Sequence, residues 1–163
     1  MARVGTWRPV AAAVIASAAL AISSPAPAAS GLAGLGGTWT GSGQIRLENG
    51  KSEAIRCSAN YVPRSGGTGL GLSLRCASAS NRVELRASLS ANGSKVSGTW
   101  EERTFNASGS VSGVASGASL RLVFSGSISG SMLVTTTGAS QSIMVRTEGT
   151  ALRGVNVSLR RSN

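Results

Sequence analysis

A chain of 163 residues with 22 glycines, 4% aromatic residues and a formal net charge of +10 suits one domain with a modest core. It has no histidine and no aspartate, and its acidic side chains are Glu48, Glu53, Glu84, Glu101, Glu102 and Glu148. That excludes Ser-His-Asp and Cys-His catalysis, paired aspartates and histidine-based zinc sites. Neither a Ser-x-x-Lys pattern nor a phosphate-binding loop occurs. The expectation is a protein that is not an enzyme and uses no cofactor or metal.

The first segment reads as a secretory signal peptide. Arg3 and Arg8 precede an apolar stretch from Val10 to Ile22, then Ser23-Ser24-Pro25 breaks it and Ala26-Pro27-Ala28 supplies a small-x-small cleavage pattern. A cut after Ala28 is expected, dividing the chain into a signal peptide (1–28), a flexible mature N-terminus (29–36) and a β-barrel domain (37–163). The apolar stretch is short for a bilayer span. The mature protein is therefore expected to be secreted or periplasmic and not membrane-spanning. It stays strongly basic, because only Arg3 and Arg8 leave with the leader.

Beyond the leader the hydrophobic period is two almost throughout. Ten strands are predicted, at about 38–48, 52–61, 69–77, 82–90, 95–105, 110–115, 119–125, 127–136, 141–147 and 152–160. The first opens on Gly37-Thr38-Trp39, echoed by Gly98-Thr99-Trp100 in the fifth. Each Trp is read first as a barrel plug. Asn49-Gly50 closes the first hairpin. A three-residue loop with a bulge, 49–51, would set Ile45 opposite Ile55 on one face.

The second and third strands carry the only cysteines, Cys57 and Cys76. In an exported chain such a pair is usually bridged. Folding the hairpin about Pro63-Arg64-Ser65-Gly66-Gly67-Thr68 puts Cys57 opposite Cys76, Ala59 opposite Leu74 and Tyr61 opposite Leu72. In the next hairpins Arg75 would face Glu84. A two-residue Asn92-Gly93 loop would pair Leu89 with Val96, Ala87 with Gly98 and Leu85 with Trp100, and would set Glu84 opposite Glu101 with arginines flanking. The separation of the seventh and eighth strands, near Ser125 to Ser127, is either a true break or a bend.

Short strands joined by short turns give an all-β, antiparallel up-and-down meander. It is expected to close into a small soluble barrel of about eight to ten strands, a sandwich being the other solution. Outward Ser, Thr, Arg and Glu, without aromatic girdles, argue against a membrane barrel. Expected to line the interior are Trp39, Tyr61, Leu72 and Leu74, together with Leu85, Trp100, Leu122 and Phe124. Glu102 continues the inward phase of Val96, Gly98 and Trp100. It belongs either at the barrel rim or, as the candidate polar ligand contact, against a bound molecule.

Gly37 and Trp39 at the head of the first strand, with Arg160 near the end of the last, resemble the calycin pattern of lipocalins and avidins. That resemblance implies a Trp39–Arg160 closure of one barrel end. The inter-strand cysteine pair is also similar to that of small periplasmic protease-inhibitor barrels. The leading functional expectation is a non-enzymatic exported binding barrel of the cell envelope, its partner an unknown small apolar ligand or envelope component. Alternatives are a protein-interaction or protease-inhibitor module of the periplasm, and a structural envelope protein held by charge. An anionic surface fits the basic charge. Nucleic acid does not, because stacking aromatics are scarce and export removes the opportunity.

Overall fold

Alternating apolar and polar side chains give each strand one face to bury, and a continuous meander buries it by curling onto itself. The computed structural model describes residues 31–162; the leader expected at 1–28 lies outside them. The strands are β1 (Gly37–Leu47), β2 (Ser52–Arg64), β3 (Gly69–Ala77), β4 (Arg82–Asn92) and β5 (Lys95–Glu102). They continue as β6 (Ala107–Ser116), β7 (Ser119–Gly126), β8 (Ser129–Thr137), β9 (Ser140–Glu148) and β10 (Leu152–Arg161). Each pairs antiparallel with its sequence neighbours, and β1 pairs with β10 to close the barrel. The break between β7 and β8 is real: Gly126 takes φ 135°, and the Ser127 N–H donates to Ser108 O at 2.9 Å. Among the described residues no helix is long and apolar enough to cross a membrane.

The cysteine hairpin has the expected register. Cys57 pairs with Cys76, Ala59 with Leu74 and Tyr61 with Leu72, and the disulfide is formed. Two other hairpins keep the expected faces but slide along them. In the first, Ile45 lies opposite Glu53, not Ile55, and Ile55 lies opposite Gly43. The Asn49 side chain accepts from the Lys51 N–H at 3.0 Å, and Gly50 adopts φ 78°. This moves the three-residue loop one position earlier, to 48–50, with the Leu47 N–H donating to Lys51 O at 2.9 Å. The register shift falls instead between Arg46 and Leu47 on the β10 side.

In the β4–β5 hairpin Asn92 stays in the strand opposite Lys95, and Gly93, at φ 60°, begins the turn. Ala91 therefore pairs with Val96, Leu89 with Gly98, Ala87 with Trp100 and Leu85 with Glu102. The slide also replaces the expected Glu84–Glu101 pair. Glu101 faces Arg86, while Glu84 faces Arg75 and receives Arg75 Nη2 at 3.4 Å and Arg103 Nη1 at 3.8 Å. These ion pairs are solvated and contribute little.

One barrel end is sealed. Of the segment expected to be flexible (29–36), residues 31–36 are described, and they include a 3₁₀ turn, Ala33–Leu35. Leu32 is 0% exposed and Leu35 is buried. Leu32 and Leu35, three apart, share one side of the turn and pack with Trp39, Leu70 and Leu159 in the core. The Trp39 indole Nε1 donates to Leu35 O at 2.9 Å. The basic partner of Trp39 is Arg161, not Arg160: its Cζ lies 4.4 Å from the ring centroid. Arg161 pairs directly with Trp39 across the seam, whereas Arg160 pairs with the exposed Thr40.

Candidate functional site: a hollow barrel interior

Above the sealed end the side chains do not meet. Leu72, Leu74, Leu85, Met132 and Val145 point inward yet remain only partly buried, packed on one side against the core and lining a cavity of about 720 Å³ on the other. The volume falls within the range of small-molecule sites. The cavity reaches the opposite barrel end, where Asn81, Phe105, Asn106, Ser127, Thr150 and Ala151 come from the turns that follow β3, β5, β7 and β9. Phe105 is 63% exposed there. The interior thus has a floor at the Trp39 end and a mouth at the end where these turns gather.

Of the residues expected inside, Tyr61, Leu72, Leu74, Leu85, Trp100, Leu122 and Phe124 line this space. Trp39 lies below it, in the packed floor. Cys57 and Cys76 also face it, so the bridge forms part of the wall. Trp100 and Phe124 meet edge to face, centroids 5.9 Å apart at 76°, and the Trp100 Nε1 donates to Ser125 O at 3.3 Å. Gly109 opposite makes this possible: a Cβ there would lie 2.9 Å from that nitrogen and collide with Ser125 O.

The two inward-facing ionisable groups in the wall, Glu102 and Tyr61, are already hydrogen-bonded. Glu102 is 6% exposed. Its Oε1 accepts the N–H of Glu84 at 2.8 Å and of Thr104 at 3.1 Å, and its Oε2 accepts that of Phe105 at 2.7 Å. Burial pushes its carboxyl up, but these donors outweigh that and hold it below the usual carboxylate range. The carboxylate thus clasps the β5–β6 turn at the mouth. The Tyr61 hydroxyl donates to Gln141 Oε1 at 3.0 Å, and Gln141 Nε2 donates to Thr136 Oγ1 at 3.3 Å. Burial pushes the Tyr61 hydroxyl well up, against the opposing pull of Gln141. Glu53 sits at the same end as Glu102 and takes hydrogen bonds from Ser78 and Ser80 in the β3–β4 turn. Those from Ser80, then Ser78, draw its carboxyl below the ordinary value. The two glutamates tie turns, each with its own partners.

Sequence reasoning passed over Val83, Met132 and Val145 in the wall, although each is in the inward phase of its strand. It also passed over Leu152, which is out of phase with Val155 and Val157 and comes inward through the register shift opposite Arg46 and Leu47. Phe105 and Asn106, at the mouth, lie in a turn where alternation carries no signal.

No protein-family model matches the chain, and no curated protein matches it. The chain is similar in structure to Rv2717c from M. tuberculosis, known from a crystal structure, with a TM-score of 0.61 at 13% identity. The match covers 79% of this chain and 93% of that one. At that identity the likeness is one of fold: the chain shares with Rv2717c an antiparallel barrel architecture.

Proposed function

We propose that the protein is an exported binding barrel of the cell envelope that holds a small apolar molecule in its interior. The observation that carries this reading is the cavity of about 720 Å³, walled by aliphatic and aromatic side chains and open at one end. An empty apolar space forfeits packing contacts along its whole wall, so a chain that keeps one has a use for it. The disulfide suits an oxidising compartment. The stacking of Arg161 on Trp39, beside Gly37, supports the finer resemblance to calycin barrels.

The test is a titration of the folded mature chain with N-phenyl-1-naphthylamine, a neutral dye that brightens in apolar surroundings. Saturable binding with a micromolar constant is expected, and it should be lost in Leu85→Trp, which fills the cavity. Mass spectrometry of organic extracts from natively purified protein should recover an apolar molecule from the wild type and none from that variant. No saturable dye binding and no extracted molecule would end the proposal.

A further inference from the structure

We infer that the interior selects for uncharged ligands and rejects anionic amphiphiles such as carboxylates and sulfonates. This rests on the binding-barrel reading above and narrows it to a ligand class. The chain carries 16 Lys and Arg residues, yet among the described residues none lines the cavity. Strand parity explains the segregation. Arg46, Arg56, Arg75, Arg86 and Arg146 all occupy outward, exposed positions, with inward neighbours such as Ile45, Ile55, Leu74, Leu85 and Val145 on either side.

The one charged side chain in the wall is Glu102, itself an anion and committed to three backbone N–H donors. The Tyr61 hydroxyl proton is committed to Gln141. An anionic headgroup drawn past the amides of Asn81 and Asn106 at the mouth would therefore meet no cation, and it would lie in the same cavity as a carboxylate. Desolvating a charge without a partner is costly, whereas an alcohol, ester or hydrocarbon loses far less. At the mouth, Arg153 is bonded to Glu48, and Arg103 approaches Glu84 at 3.8 Å. Lys51 and Arg82, at the same end, are exposed and do not line the cavity.

The experiment uses a matched pair of dyes on the folded mature chain: N-phenyl-1-naphthylamine and its sulfonated counterpart, 8-anilinonaphthalene-1-sulfonate. Only binding lost in Leu85→Trp (or, should that variant not fold, Leu74→Phe) counts as cavity binding, which removes dye held by surface arginines. The neutral dye is expected to bind at least about tenfold more tightly than the sulfonate. Met132→Arg, which places a cation in the wall, should narrow or reverse that ratio. Equal or tighter cavity binding of the sulfonate to the wild type overturns this inference and leaves the binding-barrel reading standing. Failure of both dyes to bind overturns this inference, and if extraction also recovers no apolar molecule it overturns the binding-barrel reading as well.

Discussion

Arg161 lies over the ring of Trp39, its Cζ 4.4 Å from the centroid. From there it donates through Nη2 to Gly34 O at 2.8 Å and through Nη1 to Gly36 O. One guanidinium thus joins the last strand, the first strand and the segment that seals the floor. Arg161→Ala should cost about 1–2 kcal/mol, from the ring contact and two carbonyls losing their donor. Arg160→Ala should stay within about 0.5 kcal/mol, since that side chain has neither the ring nor the two carbonyls that Arg161 holds. Urea unfolding of the two variants beside the wild type checks the contrast, and equal losses would refute it.

Glu102 should make the fold acid-sensitive. Its carboxyl lies below the usual range when folded. Its contribution is therefore present above the unfolded carboxyl's value and fades as pH falls through the folded one. Stability should decline below about pH 4.3. Glu102→Gln sets an amide NH₂ against backbone N–H donors. It should cost about 1–3 kcal/mol at neutral pH and flatten the acid limb. Urea midpoints measured from neutral pH down into the acid limb give both numbers.

The bridge between Cys57 and Cys76 spans 19 residues. In the chain-entropy view, closing a loop of that size stabilises by about 3 kcal/mol. The double variant Cys57→Ala/Cys76→Ala should lose about that much in urea unfolding. It should still fold, because β2 and β3 pair on both sides of the bridge. Dye binding at low temperature should persist, since neither sulfur is the source of the cavity.

Gly109→Ala should be among the most damaging single-methyl additions in the barrel. The new Cβ would press on the Trp100 indole and on Ser125 O, its hydrogen-bond acceptor. An overpacking cost of about 1–3 kcal/mol is expected, with a changed near-ultraviolet circular dichroism signal from Trp100. Gly138→Ala is a useful contrast: Gly138 has open space around it, so its cost comes from φ 57° alone.

The alternation of side chains was enough to find ten strands and their inward faces, because a strand with one dry side can be misread only in steps of two. Register within those steps depends on turn chemistry, and there Asn-Gly proved ambiguous. Around Asn92-Gly93 the pair can fill both loop positions, or Asn92 can stay in the strand and Gly93 can begin the turn; the protein uses the second arrangement. The Arg160 expectation had its answer in the same parity: with Leu159 inward, the next inward residue is Arg161. The floor was less visible, since Leu32 and Leu35 are too few to display a period. Inward direction at Leu72 or Leu85 was legible, but not whether those side chains meet across the axis. That depends on how many strands complete the circle and how they tilt.

The pairing of β1 with β10 is the one contact between neighbouring strands that is not a hairpin. The others join segments a few residues apart, while this seam unites Trp39 with Arg161 and Ser162 with Thr38. Hairpins can form as each pair of strands leaves the ribosome, but the circle cannot close until the last strand is made. It also brings the two ends of the domain side by side at the sealed floor. A circular permutant joined there by a short linker, with new ends opened in the exposed turn around Gly138, would keep every strand neighbour of the original. Its slowest folding event would move to a different pair of strands.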